Sequence, residues 1–301
     1  MDSPVSIFID HIWDGLRLVA PEKEAELVAA IEQHDIKPRQ DVRADPPFSV
    51  LGPEGQKTIR YSIQGIELLW VLSYVHGVIY REVQKETERE AVVLVLSERA
   101  STCAIPKLMN WLFANFFVED GRVAWPDDLP RPTTLAPTAG ETVSAERSAT
   151  GLAVLAAGWV LHHELAHVRL GHGPVTVRSV AEELEADRAA TEWLLDGVSQ
   201  EATIIDRGLA VAIGVIALAA LDSEYDRHPA MGRRTHPTGA ERVHAALGHP
   251  AFGADHVVFK FAGFALKAYL DNREIPVPCN EYDTARDMLN DYCLALHRAS
   301  Q

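Results

Sequence analysis

Between Ala149 and Leu170 the sequence reads as one long, largely apolar helix that carries His163, Glu164 and His167. Leu155, Trp159, Leu165, Val168 and Leu170 can bury the rest of this helix, and Gly171, Gly173 and Pro174 stop it. Histidines four residues apart stand one above the other on one helix face, so the two imidazoles can reach a common point. Burying His, Glu and His together is costly unless something ligates them. Whatever fold this chain adopts must therefore bring partners to that face.

The pattern His163-Glu164-Leu165-Ala166-His167 has a specific chemical use. Two imidazoles on one face hold a zinc ion, and the glutamate beside the first can take a proton from a water activated by it. The five-residue pattern alone recurs by chance, and its bland alternative is an amphipathic helix with His and Glu on its polar side. The apolar surroundings argue for the metal.

A catalytic zinc takes a third protein ligand and keeps one position open. The next helical stretch, Val180 to Leu195, offers Glu182, Glu183, Glu185 and Asp187. Ser179-Val180-Ala181-Glu182 is a capping box, which assigns Glu182 to the helix N-terminus. Glu183 and Asp187 then share one face, where Glu183 can ligate the ion and Asp187 can accept the second ring N–H of a ligating histidine. Glu185 points roughly the other way, toward the surface. The competing reading is a solvated acidic helix start favoured by the helix dipole.

A third cluster is Thr235-His236-Pro237-Thr238-Gly239-Ala240-Glu241-Arg242. Thr238 and Glu241 form a second capping box, so His236 stands on a loop just ahead of a helix, with Arg242 in its first turns. A loop histidine can donate a hydrogen bond to a developing oxyanion. His228-Pro229 has the same local look, and a surface histidine is the alternative for either.

The chain of 301 residues carries a formal net charge of -15, which disfavours nucleic acid as a partner. Its three cysteines, Cys103, Cys279 and Cys293, form no disulfide or zinc-ribbon pattern, and no signal peptide opens the sequence, so a cytoplasmic location is expected. Gly208 to Leu221 is an unbroken apolar run, shorter than the roughly 20 residues that cross a bilayer, and reads as a buried core helix.

Further helices are expected at Glu22–Glu32, Gly65–Val83, Lys107–Phe117, Ala202–Leu221, Ala240–Leu247, His256–Leu270 and Tyr282–Arg298, and strands at Ala91–Leu96 and Gly121–Trp125. Pro126, Pro130, Pro132 and Pro137 mark a loop over residues 126–148. The expected organisation is a mainly helical N-terminal region (1–125), this loop, and a helical core (149–301). The fold class is mainly α, or α+β with a small sheet.

These blocks, taken together, carry a resemblance. His163-Glu164-Leu165-Ala166-His167-Val168-Arg169-Leu170-Gly171-His172, then Glu183-Leu184-Glu185-Ala186-Asp187, then His236-Pro237 with Arg242, resembles the gluzincin peptidases of the HtpX and CAAX-prenyl-protease type in content and order. The resemblance implies a zincin-like core in which Glu183 is the third zinc ligand, Asp187 supports a ligand, His236 stabilises the oxyanion and Arg242 pairs with the acidic block. Those enzymes are membrane-embedded, whereas this chain has no convincing spanning helix. In length and layout it is similar to the Lit-type phage-exclusion peptidases. That similarity implies cleavage of a cytosolic protein during phage infection, a translation factor (elongation factor Tu) in the Lit case.

The expected activity is thus a zinc-dependent endopeptidase on a protein or peptide substrate, with Glu164 as general base. The alternative is a non-catalytic regulatory or binding protein with a structural zinc, which would have no use for Glu164. A deformylase shares only the His-Glu-x-x-His pattern, and Cys103 sits in Thr-Cys-Ala instead of the Gly-Cys-Leu such enzymes use.

Overall fold

A computed structural model describes residues 3–87, 102–118, 123–135, 143–174, 178–227, 237–278 and 280–299. After short 3-10 turns come α1 (Gly15–Leu18) and α2 (Glu24–Gln33), the strands β1 (Lys37–Asp41), β2 (Phe48–Leu51) and β3 (Thr58–Ser62), and then eight helices. These are α3 (Ile63–Thr87), α4 (Ala104–Phe116), α5 (Ala145–Arg169), α6 (Val180–Leu195), α7 (Glu201–Arg227), α8 (Gly239–Leu247), α9 (Val257–Asn272) and α10 (Ala285–Ala299). The described residues are mostly helical with one small sheet, as expected.

The helix α5 sits at the centre. It begins four residues earlier than its apolar pattern suggests, because Ser144 Oγ accepts the Arg147 N–H at 3.2 Å and caps it. From Ala153 to Val168 nearly every side chain is buried, and α1, α3, α6 and α7 pack around it. Two tryptophans fix its register. Trp70 Nε1 of α3 donates to Thr150 Oγ1 at 3.1 Å. Trp159 Nε1, one turn before His163, donates to Thr191 Oγ1 of α6 at 3.1 Å. Gly214 of α7 lies flat against the Trp159 ring, where a side chain would not fit.

The sheet lies elsewhere than expected. β3 is central, parallel to β1 (Lys37 opposite Thr58) and antiparallel to β2 (Phe48 opposite Tyr61), and leads straight into α3. The expected strand at Ala91–Leu96 falls outside the described residues. Val123–Trp125, the described part of the other expected strand, is irregular; the Trp111 indole N–H donates to the Val123 and Ala124 carbonyls there.

The apolar run of α7 is core. Ala210–Ala217 except Gly214 are hydrophobic residues of zero exposure. By length and composition α3 and α7 could each cross a membrane, but 83 % and 78 % of their most apolar windows are buried in this fold. One continuous set of buried side chains runs from Val5 to Leu296. Bridges across it include Arg207, whose Nη1 and Nη2 donate to Glu22 at 2.6 and 2.7 Å, and Glu224, which accepts from Tyr269 and Arg273.

Two features of this packing predict behaviour. The helices α1 and α5 cross backbone to backbone at Gly15 and Gly158, where a Cβ on Gly158 would lie 2.5 Å from the Gly15 carbonyl oxygen. Gly158→Ala should cost about 2 kcal/mol in urea unfolding, because neither backbone can give way. His76 of α3 is fully buried edge-on to Phe261, and neither ring nitrogen has a hydrogen-bond partner among the described residues. Burial holds its pKa down to about 3. The unfolded chain binds this proton below about pH 6.5, so stability is lost as pH falls from there toward 3. His76→Leu should flatten that part of the acid-unfolding curve.

Candidate active site

His163, Glu164 and His167 project from α5 toward α6 and α8, and all three are nearly fully buried. The capping box at the start of α6 is formed as its sequence suggests. Ser179 Oγ accepts the Glu182 N–H, and Glu182 Oε2 accepts the Ser179 N–H at 2.7 Å. Glu182 is thereby taken up, and Glu183 turns inward at 3 % exposure. Glu185 points outward, with 58 % of its side chain exposed.

Three side chains converge. His163 Nε2 lies 3.2 Å from His167 Nε2. Glu183 Oε2 lies 3.4 Å from the first and Glu183 Oε1 3.5 Å from the second. A tetrahedral zinc with bonds of roughly 2.0–2.1 Å separates its ligand atoms by about 3.3–3.4 Å. Each of these separations is close to that value, one ligand atom from each residue lies within 4.8 Å of the others, and this buried group could bind a metal. Glu183 Oε1 and Glu164 Oε2, both buried, have no hydrogen-bond partner among the described residues, as expected of oxygens aimed at an ion and at a water.

Behind these three side chains lies a charge network. His163 Nδ1 meets Asp187 Oδ1 at 2.8 Å. Arg242 of α8 reaches Glu183 at 2.9 Å, Asp187 at 3.2 Å and Asp222 of α7 at 2.6 Å. Arg178, just ahead of α6, places Nη1 3.6 Å from both Glu164 and Glu183 while its Nε donates to the Gly173 carbonyl. Four carboxylates thus face two guanidiniums. With neutral histidines the cluster retains two negative charges, which a divalent cation would balance.

The electrostatics follow. Burial alone would lower the His163 pKa, but Asp187 and then Glu183 outweigh it and push it up to about 9. Burial, reinforced by the charge of His163, lowers that of His167. Glu183 would be raised by burial, but His163 and Arg242 hold it far below the usual carboxylate range. Arg242 stays charged despite burial because Asp222, Asp187 and Glu183 surround it. A recess of about 40 Å³ opens beside the cluster, roughly room for one water, walled by Pro46, Pro47 and Phe48 before and in β2 and by Leu218, Leu221 and Tyr225 of α7.

Of the residues singled out in the sequence, the structure gathers His163, Glu164, His167, Glu183, Asp187 and Arg242 within one cluster. His236 and its competitor His228 lie outside the described residues. Thr238 does cap α8, accepting the Glu241 N–H at 3.3 Å. Arg178, Asp222 and the Pro46–Phe48 wall were not foreseen. No periodic pattern distinguishes Arg178 or the wall, and Asp222 follows an apolar run that ends at Leu221.

Comparisons with known proteins bear on this arrangement. The sequence profile of the family described as Peptidase U49 matches residues 59–264, which include all of these clustered residues. The chain is 25 % identical over 283 residues to the "Cell death peptidase" of Escherichia coli (strain K12), covering 92 % of each protein. No solved structure matches. The likeness supports the Lit-type resemblance; that to the HtpX and CAAX-prenyl-protease type rests on the motif residues alone. By a match spanning most of its length, the chain belongs to the peptidase U49 family.

Proposed function

We propose that this peptidase is a zinc-dependent endopeptidase in which His163, His167 and Glu183 hold the ion and Glu164 is the general base. The observation that carries the reading is the convergence of two Nε2 atoms and a carboxylate at separations of 3.2 to 3.5 Å. A zinc ion held there would polarise the scissile carbonyl and lower the pKa of the attacking water.

The chain's own groups account for the remaining steps. Glu164 sits one residue from the first ligand with an oxygen free of hydrogen bonds. It can take the proton of the attacking water and return it to the leaving amine. Arg178, 3.6 Å from Glu164, restrains that carboxylate. Asp187 Oδ1, 2.8 Å from His163 Nδ1, favours a proton on that nitrogen, which would leave the Nε2 lone pair for the ion. His236 is assigned the oxyanion on the strength of the motif resemblance.

The substrate is a protein of the cytoplasm, and the biological setting is phage exclusion, with a translation factor as the first candidate. The similarity to a protein called a cell death peptidase supports that setting.

Glu164→Gln should keep stoichiometric zinc and lose cleavage by a factor of at least ~10². A survey of cleavage products in host lysate, wild type against this variant, checks both activity and substrate; undiminished cleavage would sink the mechanism. Glu183→Ala should lose the metal, read by metal analysis of the purified protein. Zinc must also displace the proton that His163 carries in the metal-free protein, whose pKa is about 9. Affinity should therefore rise ~10-fold per pH unit up to about pH 9, with one proton released per ion. Isothermal titration in buffers of different ionisation enthalpy measures that proton.

A further inference from the structure

The two histidines that meet at the recess are held from behind in different ways. His163 Nδ1 faces the fully buried Asp187 directly. His167 Nδ1 instead lies 2.9 Å from His172 Nδ1, and the other nitrogen of His172 lies 3.3 Å from Glu185 Oε2. The backbone explains this placement. After α5 ends at Arg169, Gly171 adopts φ +71°, a left-handed conformation that favours glycine. The chain reverses, and the His172 N–H donates to the His167 carbonyl at 2.9 Å. The turn is pinned from beyond by the Gly173 N–H, which donates to Glu182 Oε1 at 3.2 Å. The side chain of His172 is 6 % exposed, whereas Glu185 reaches solvent.

Proton inventory gives this chain of contacts one direction. A neutral imidazole has one N–H and one acceptor nitrogen. If His167 offers the Nε2 lone pair to an ion, its proton is on Nδ1 and must be donated to His172 Nδ1. His172 then carries its own proton on Nε2, where the Glu185 carboxylate accepts it. Each donor meets an acceptor.

We propose that His172 and Glu185 are positioning residues for His167, forming an imidazole–carboxylate relay that fixes its ring and tautomer as Asp187 does for His163. The inference rests on the zinc reading above. Because the middle member supplies the acceptor, His172 matters more than the exposed Glu185. The relay turns Glu185, a surface residue, into a remote contributor to metal binding.

The test uses the full chain freed of metal, with zinc alone as the probe, competing against a chromophoric chelator at fixed pH. The absorption spectrum of the cobalt form and a thermal melt of each metal-free variant accompany it. His172→Leu should bind zinc roughly 10–100-fold more weakly, with an altered cobalt spectrum. His172→Asn puts an amide oxygen near the Nδ1 position and should restore most of the affinity. Glu185→Gln should keep stoichiometric zinc with a smaller loss than His172→Leu. Wild-type affinity and spectrum in His172→Leu, or an equal loss in His172→Asn, would overturn the relay while leaving the zinc site intact. If the wild type takes up no zinc, or Glu183→Ala binds it as well as the wild type, the zinc reading itself falls and the relay with it.

Discussion

Everything at the centre of this molecule depends on how a group of buried charges is satisfied. Asp187 is wholly buried and meets both His163 and Arg242. Arg242 in turn meets Glu183 and Asp222. A buried ion network of this kind contributes little net stability compared with apolar packing, but removing one member leaves the others uncompensated at a cost of about 3–5 kcal/mol. The network therefore specifies arrangement more than it adds stability. It ties α5, α6, α7 and α8 together at one point, and that point is where two imidazoles and a carboxylate converge.

The apolar packing does the complementary work. A site on a helix can be no more precise than the helix's own placement, and α5 is held on all sides. The Gly15–Gly158 crossing sets its distance from α1, Trp70 and Trp159 set its register against α3 and α6, and Gly214 lets α7 close over the Trp159 ring. Interiors packed this tightly resist movement. The same residues that make α5 a core helix thus hold the rings of His163 and His167 in one geometry.

Much of this was legible in the sequence, and the failures have physical causes. The helix period is strong over long apolar stretches, so α6 matches its expected bounds of Val180 and Leu195, and α5 and α7 differ only at their ends. The Ser179 capping box separated Glu182 from Glu183 because capping is a local rule that needs no tertiary knowledge. The sheet was missed for the opposite reason. β1 is Lys-Pro-Arg-Gln-Asp, polar and mostly exposed, and β2 has four residues, so neither shows an alternating pattern. Its pairing is decided by contact with β3 and α5, which sequence spacing does not encode. Arg178 was missed likewise, and His172, though part of the motif block, was given no role: the partners of each are set by how α5 and α6 pack together, which sequence spacing does not encode. The choice between His228 and His236 stays with the motif resemblance, since neither falls among the described residues.

The position of Arg242 has a mechanical consequence. Its guanidinium is fixed by carboxylates of α6 and α7, and its backbone N–H donates to the Thr238 carbonyl at 3.1 Å, in the first turn of α8. The first turn of α8 is thereby tethered to Glu183 and Asp187, the carboxylates that also face the histidines. A change of charge on either carboxylate therefore acts on the start of α8 as well as on the rings.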